Sequence, residues 1–141
     1  MRFMITIAAG IMLPLFLAGL ALAEPNMEDG MWEITMKMDM PGMSMEMPPV
    51  TFNQCLTKKD LVPRKKEKNE DCKLISTRID GNTVTWVGQC RIKEGTVDST
   101  GKITYKGNGF DGVIKAVMNT KDTGKMEITQ RMSGKRTGPC K

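Results

Sequence analysis

Residues 73–90 read KLISTRIDGNTVTWVGQC, the pattern of a tight β-hairpin. Two runs rich in β-branched residues flank Asp80-Gly81-Asn82, where the Asp-Gly pair supplies the positive φ that a tight hairpin turn needs. Val84, Trp86 and Gly88 fall on one side of the second run and are expected to face Leu74 and Ser76 of the first, which gives the hairpin an inner side. Downstream, short alternating runs over residues 91–97, 101–106, 110–118 and 125–133 are separated by Asp98-Ser99-Thr100-Gly101, Gly107-Asn108-Gly109 and Asp122-Thr123-Gly124. These separators are turn-forming residue types, and Asp80, Asp98 and Asp122 read as turn formers. Long amphipathic helical patterns are absent. About seven to eight short strands in consecutive hairpins predict an all-β fold, a single antiparallel up-and-down β-barrel, with a β-sandwich as the alternative.

Upstream, residues 31–40 (MWEITMKMDM) place Trp32, Ile34, Met36, Met38 and Met40 on one side and Glu33, Thr35, Lys37 and Asp39 on the other. That period of two marks a half-buried strand. After Pro41-Gly42 the alternation resumes at Met43, Met45 and Met47. A reversal there predicts a hairpin with Met40 facing Met43, Met38 facing Met45 and Met36 facing Met47, and with Lys37 opposite Glu46. Pro-Gly favours a type II turn, whose twist suits a two-residue hairpin poorly, so the connection is expected to be loose or bulged. Pro48-Pro49 then stops any central strand, and residues 50–55 form a short extended piece. Thr57 and Asp60 have capping-box spacing, which predicts one or two helical turns over residues 57–62 before Pro63. Residues 64–73 (RKKEKNEDCK) read as a solvated loop.

The first 23 residues have a different character. Arg2 precedes an almost unbroken apolar run that ends in Ala21-Leu22-Ala23, the three-part pattern of a cleavable signal peptide. Residues 1–23 are therefore expected to be removed, leaving 24–141 as one antiparallel β domain. An uncut anchor is the alternative, because about 20 apolar residues can span a bilayer. The chain is expected in the periplasm or outside a bacterial cell, without a stable membrane span once the signal is cut. Its formal charge of +5 is a mild surplus that names no partner.

Cys55, Cys72, Cys90 and Cys140 all follow this segment, and an even count in an exported chain reads as two disulfides. Of the three possible pairings, Cys55 with Cys72 and Cys90 with Cys140 is preferred here. The first would close the basic loop and the second would tie the tail to a central strand. No CxxC pair and no histidine accompany them, which argues against a thiolate metal site.

Several local stretches also carry a resemblance. Met31-Trp32-Glu33-Ile34, MPGM at 40–43, QCLT at 54–57, NTVTW ending at Trp86, Cys90, ITYKG at 103–107 and GKRTGPC at 134–140 occur in an order similar to that of small exported bacterial proteins catalogued as a domain of unknown function, number 3617. The resemblance spans nearly all of the chain after residue 23. It implies an exported, cysteine-paired β protein and transfers no activity, ligand or catalytic residue.

The methionines are the most unusual candidate site. Met36, Met38, Met40, Met43, Met45 and Met47 crowd into one segment. The plain reading is that they pave the inner side of a hairpin. Methionine also serves surfaces that must adapt to apolar partners, and thioethers are soft ligands suited to Cu(I). The leading expectation is a noncatalytic binding protein that uses Trp32, Ile34 and these six methionines to contact an apolar small molecule, lipid or envelope protein. A Cu(I)-handling protein using the same methionines is the alternative, and a structural or stress-related envelope component the third. The basic run from Lys58 to Lys73 is diluted by Asp60, Glu67, Glu70 and Asp71 and reads as a solvated face. It lacks the aromatic interleaving expected of a nucleic-acid site. Without histidine or a GxSxG elbow, no catalytic constellation is visible, and no cofactor is expected.

Overall fold

The computed structural model describes residues 24–42, 44–65 and 71–141. Residues 1–23, expected from the sequence to be a signal peptide, Met43 and residues 66–70 of the charged loop lie outside the described residues. Seven strands form: β1 (Gly30–Asp39), β2 (Val50–Leu56), β3 (Asp71–Asp80), β4 (Thr83–Ile92), β5 (Gly95–Tyr105), β6 (Gly109–Thr120) and β7 (Gly124–Gly138). Among the described residues there is no helix, and so none long and apolar enough to cross a membrane. All strands join one antiparallel sheet in the order β2-β1-β7-β6-β5-β4-β3, curled into a half-barrel. β3 to β7 form a continuous meander, β1 then pairs with β7, and β2 caps the far side of β1.

The curl can be read from ring distances. Trp32 on β1 and Tyr105 on β5 are separated by β7 and β6, which would set their backbones about 14 Å apart in a flat sheet. Their rings nevertheless meet edge to face at 5.8 Å, and both contact Phe110. The three rings lie on the concave side, with Ile34, Leu56, Val84, Trp86, Ile103 and Met132 completing the core. The opposite face carries Lys37, Arg131, Lys102 and Arg78 among many threonines, as the alternation requires.

Glycines inside strands make the concave side narrow enough. A Cβ at Gly101 would lie 2.0 Å from the Trp86 ring, and one at Gly134 would lie 2.1 Å from the Phe110 ring. Each ring therefore rests on bare backbone of the neighbouring strand. The turn glycines act differently: Gly81 has φ +56° and Asn82 has no positive φ, the sign pattern of a type II′ hairpin turn.

One end of the half-barrel is plugged. Met27, Leu61 and Val62 are buried there against the aromatic cluster, and Gly107 donates its N–H to the Asn26 carbonyl at 2.7 Å. The Tyr105 hydroxyl donates to the Leu61 carbonyl at 2.7 Å. Lys58 clamps the entering chain through Glu24 at 2.8 Å, and that carboxylate raises the lysine pKa.

Burial, and secondarily the charge of Asp60, pushes the Tyr105 pKa up. A hydroxyl that ionises later in the native than in the unfolded state contributes stability in full below the unfolded pKa near 10. That contribution is withdrawn as pH rises toward the native value. Stability is therefore expected to fall by up to about 1.4 kcal/mol per pH unit above about pH 10 from this group. Tyr105 is the sole tyrosine, so tyrosinate absorbance reports on it alone and should appear together with unfolding. Tyrosinate absorbance preceding unfolding, at the ordinary tyrosine pKa, would reject this assignment.

Several expectations from the sequence are corrected. The Met36–Met47 hairpin does not form: residues 44–49 are not strand, and Val50 rather than Met47 stands opposite Met36. Pro41, Pro48 and Pro49 remove ladder donors from the intervening segment, and the later run, free of proline, takes the edge of β1. Residues 57–60 form a tight turn in place of a helix, with Thr57 and Asp60 bridged to each other. Asp98 to Gly101 are no break either, since β5 runs unbroken through them and the turn falls at Lys93-Glu94. Ser76 pairs with Val87 on the convex side because a bulge at Ile75 shifts the register. The disulfides are Cys55–Cys140 and Cys72–Cys90, not the preferred pairing. Register explains both: Cys72 stands directly opposite Cys90, and Met31 pairs with both Cys55 and Gly138, which brings the tail to β2.

Candidate apolar binding face

Cross-strand register builds the concave wall row by row. Next to the aromatic cluster lies Val50–Met36–Met132–Gly112–Ile103–Val84–Ile79, running from β2 to β3. Below it lies Met38–Gln130–Ile114–Gly101–Trp86–Thr77, and then Ile128–Ala116–Ser99–Gly88–Leu74. The last row is Met126–Met118–Val97–Cys90–Cys72, which ends in the disulfide. Charged residues are absent from all four rows.

The half near Tyr105 is sealed by the plug, and the other half is open. Met36, Met38, Val97, Ile114 and Met118 are half-buried, and Met126 is 37% exposed. This end also bears the β4–β5 and β6–β7 turns and the exit of β1. A hollow between those turns is lined by Lys93, Glu94, Lys121 and Asp122. Its lysines and carboxylates, of opposite charge, form no convergent site of one sign.

The predicted site residues divide into three groups. Met36 and Met38 lie on the concave wall, with Met36 packed partly against the core. Trp32 and Ile34 are fully buried under the plug, so they support the wall and offer no contact surface. Met40 is half-buried just past β1, Met45 and Met47 are solvent-exposed off the sheet, and Met43 lies outside the described residues. Met118, Met126 and Met132 were not singled out from sequence, although they share the wall. Their alternation in residues 110–118 and 125–133 was visible, but which side faced inward required knowing the neighbours of β6 and β7. Among the described residues no buried side-chain polar atom lacks a hydrogen-bond partner, and Gln130, Thr77 and Ser99 are the polar side chains of the wall. Groups of three or more His, Cys, Asp or Glu placed to hold a metal ion are likewise absent among the described residues.

Comparison with known proteins adds a family and no activity. No curated protein and no solved structure matches the chain. The family model described as a protein of unknown function, DUF3617, matches residues 27–140, from the first plug residue to the last cysteine. The chain therefore belongs to the DUF3617 family.

Proposed function

We propose that this chain is a noncatalytic binding protein of the bacterial envelope that takes an apolar molecule, most simply a lipid acyl chain, onto the open half of its concave face. The observation that carries this reading is the uncharged wall of Met36, Met38, Ile114, Met118, Met126 and Val97, left partly exposed while the aromatic end of the same face is sealed beneath Met27, Leu61 and Val62. Thioether side chains are flexible and suit an apolar guest of variable shape. Two disulfides agree with an exported chain, as does the signal-like sequence before Glu24.

Binding of a fluorescent fatty acid to the disulfide-intact protein tests the reading. Saturable binding is expected, weakened about tenfold or more by Met118→Glu with Met126→Glu, since a carboxylate against an acyl chain loses its hydration. Both positions are partly solvent-accessible, so circular dichroism should stay unchanged. Absence of saturable binding in the parent protein, or equal binding by the variant, would overturn the proposal. Saturable Cu(I) binding without acyl-chain binding would favour the thioether-metal alternative.

A further inference from the structure

β3 is the most exposed strand of the sheet. All ten of its residues are exposed, it sits at the end of the strand order, and among the described strands it pairs only with β4. Edge strands are commonly blunted by prolines, short length, bulges or inward-pointing charges, and of these β3 carries only a bulge. The other edge, β2, is seven residues long, follows Pro48-Pro49 and is stapled through Cys55. β3 has no proline, and its inward-facing residues include Leu74 at 42% exposure and Ile79 at 47%. Its charges, Asp71, Lys73, Arg78 and Asp80, all point to the convex side.

The bulge at Ile75 is what puts Leu74 and Ile79 on the same side, opposite Gly88 and Val84 of β4. It also restricts how a second β3 could be laid antiparallel against the first, because opposed residues must share a face. A register centred on the middle of the strand would set Asp71 against Asp80 and Lys73 against Arg78, like charges in both pairs. Sliding one way pairs Asp71 with Arg78 but leaves Ile79 beyond the start of the partner strand. Sliding the other way sets Lys73 opposite Asp80 and Leu74 opposite Ile79. A two-fold axis repeats both pairs.

We infer that two copies of this chain associate through antiparallel pairing of β3 with β3 in that last register. Four complementary contacts then arise from two sequence pairs, Leu74 and Ile79 of the two copies cover one another while Ile75 stays at the bulge, and the concave walls of the two copies become continuous. The inference does not depend on what the open half of the concave face binds, since that wall is built by β1, β5, β6 and β7 and the dimer contacts lie on β3.

Sedimentation of the disulfide-intact chain over a concentration series tests it. A monomer–dimer equilibrium is expected, with amide exchange in β3 slowing as the dimer fills. Lys73→Asp alone should weaken dimerisation about tenfold or more by opposing two carboxylates, and adding Asp80→Lys should restore it. Both side chains are exposed, and circular dichroism of the monomeric single variant confirms that it folds. A parent chain that stays monomeric throughout the series would overturn the inference. So would a dimer indifferent to Lys73→Asp, or one that the double exchange fails to restore.

Discussion

Replacing Cys55 and Cys140 together by alanine is expected to lower the unfolding free energy by about 4–5 kcal/mol on the chain-entropy estimate. The bridge spans 85 residues, and that loop takes in nearly the whole meander. Small domains hold only about 5–15 kcal/mol in total, so the variant should be largely unfolded at modest urea concentration. The second bridge, Cys72–Cys90, spans 18 residues. Its removal should cost nearer to about 3 kcal/mol by the same estimate. It should also act locally, since β3 has no neighbour besides β4 in the sheet. Urea midpoints of the two double variants check this ordering. Hydrogen exchange should show broad loss of protection for the first variant and loss confined to β3 for the second. Equal destabilisation, or the reverse order, would show that the closed-loop argument does not govern this domain.

Gly101→Ala and Gly134→Ala should each cost about 2–3 kcal/mol or more, although alanine ordinarily suits a strand better than glycine does. The new methyl group would occupy space that already holds the Trp86 ring in one case and the Phe110 ring in the other. Trp86 is 4% exposed and Phe110 2%, so neither ring has solvent into which to retreat. Gly88 lies on the same concave side, yet a Cβ there meets the Ser99 hydroxyl oxygen at 3.1 Å as its nearest neighbour. A serine side chain can rotate away, and Gly88→Ala should stay within about 1 kcal/mol of the parent. Chemical denaturation of the three variants side by side is the measurement. A mild effect at Gly101 and Gly134 would mean that the rings are free to move and that the curl does not rest on bare backbone.

The two glycine substitutions bear on the candidate binding face as well. The glycines let the aromatic side chains lie flat across neighbouring strands, which draws the sheet into its half-barrel and gives the methionine rows a concave shape. Without that curl, Met36, Met118 and Met126 would line a flat apolar surface and enclose nothing.

Much of this architecture was legible before any coordinates. Period-two alternation identified β1 to within a residue at each end, and Asp80-Gly81 marked the hairpin that the φ of Gly81 now accounts for. Alternation is a local property, because a strand exposes its two faces wherever it pairs. Turn residues misled where they were not turns: Asp98 to Gly101 have turn composition but sit inside β5, where Gly101 accommodates Trp86 and Asp98 accepts a hydrogen bond from Gln89 at 2.8 Å. The Met36–Met47 hairpin failed for a related reason, since a plausible local register lost to a longer-range partner in β2.

The class of fold and the inward side of β1 follow from neighbours within a few residues, and the even set of cysteines from composition. Which cysteines meet, which glycines serve packing and which methionines share a wall emerge only when the strands pair. Those relations depend on register between strands far apart in the chain. Cys140 reaches Cys55 only because β7 lies against β1, and Met118 meets Met126 only because the β6–β7 turn sets their register. A shift of one residue in either pairing would turn those side chains to the opposite face of the sheet.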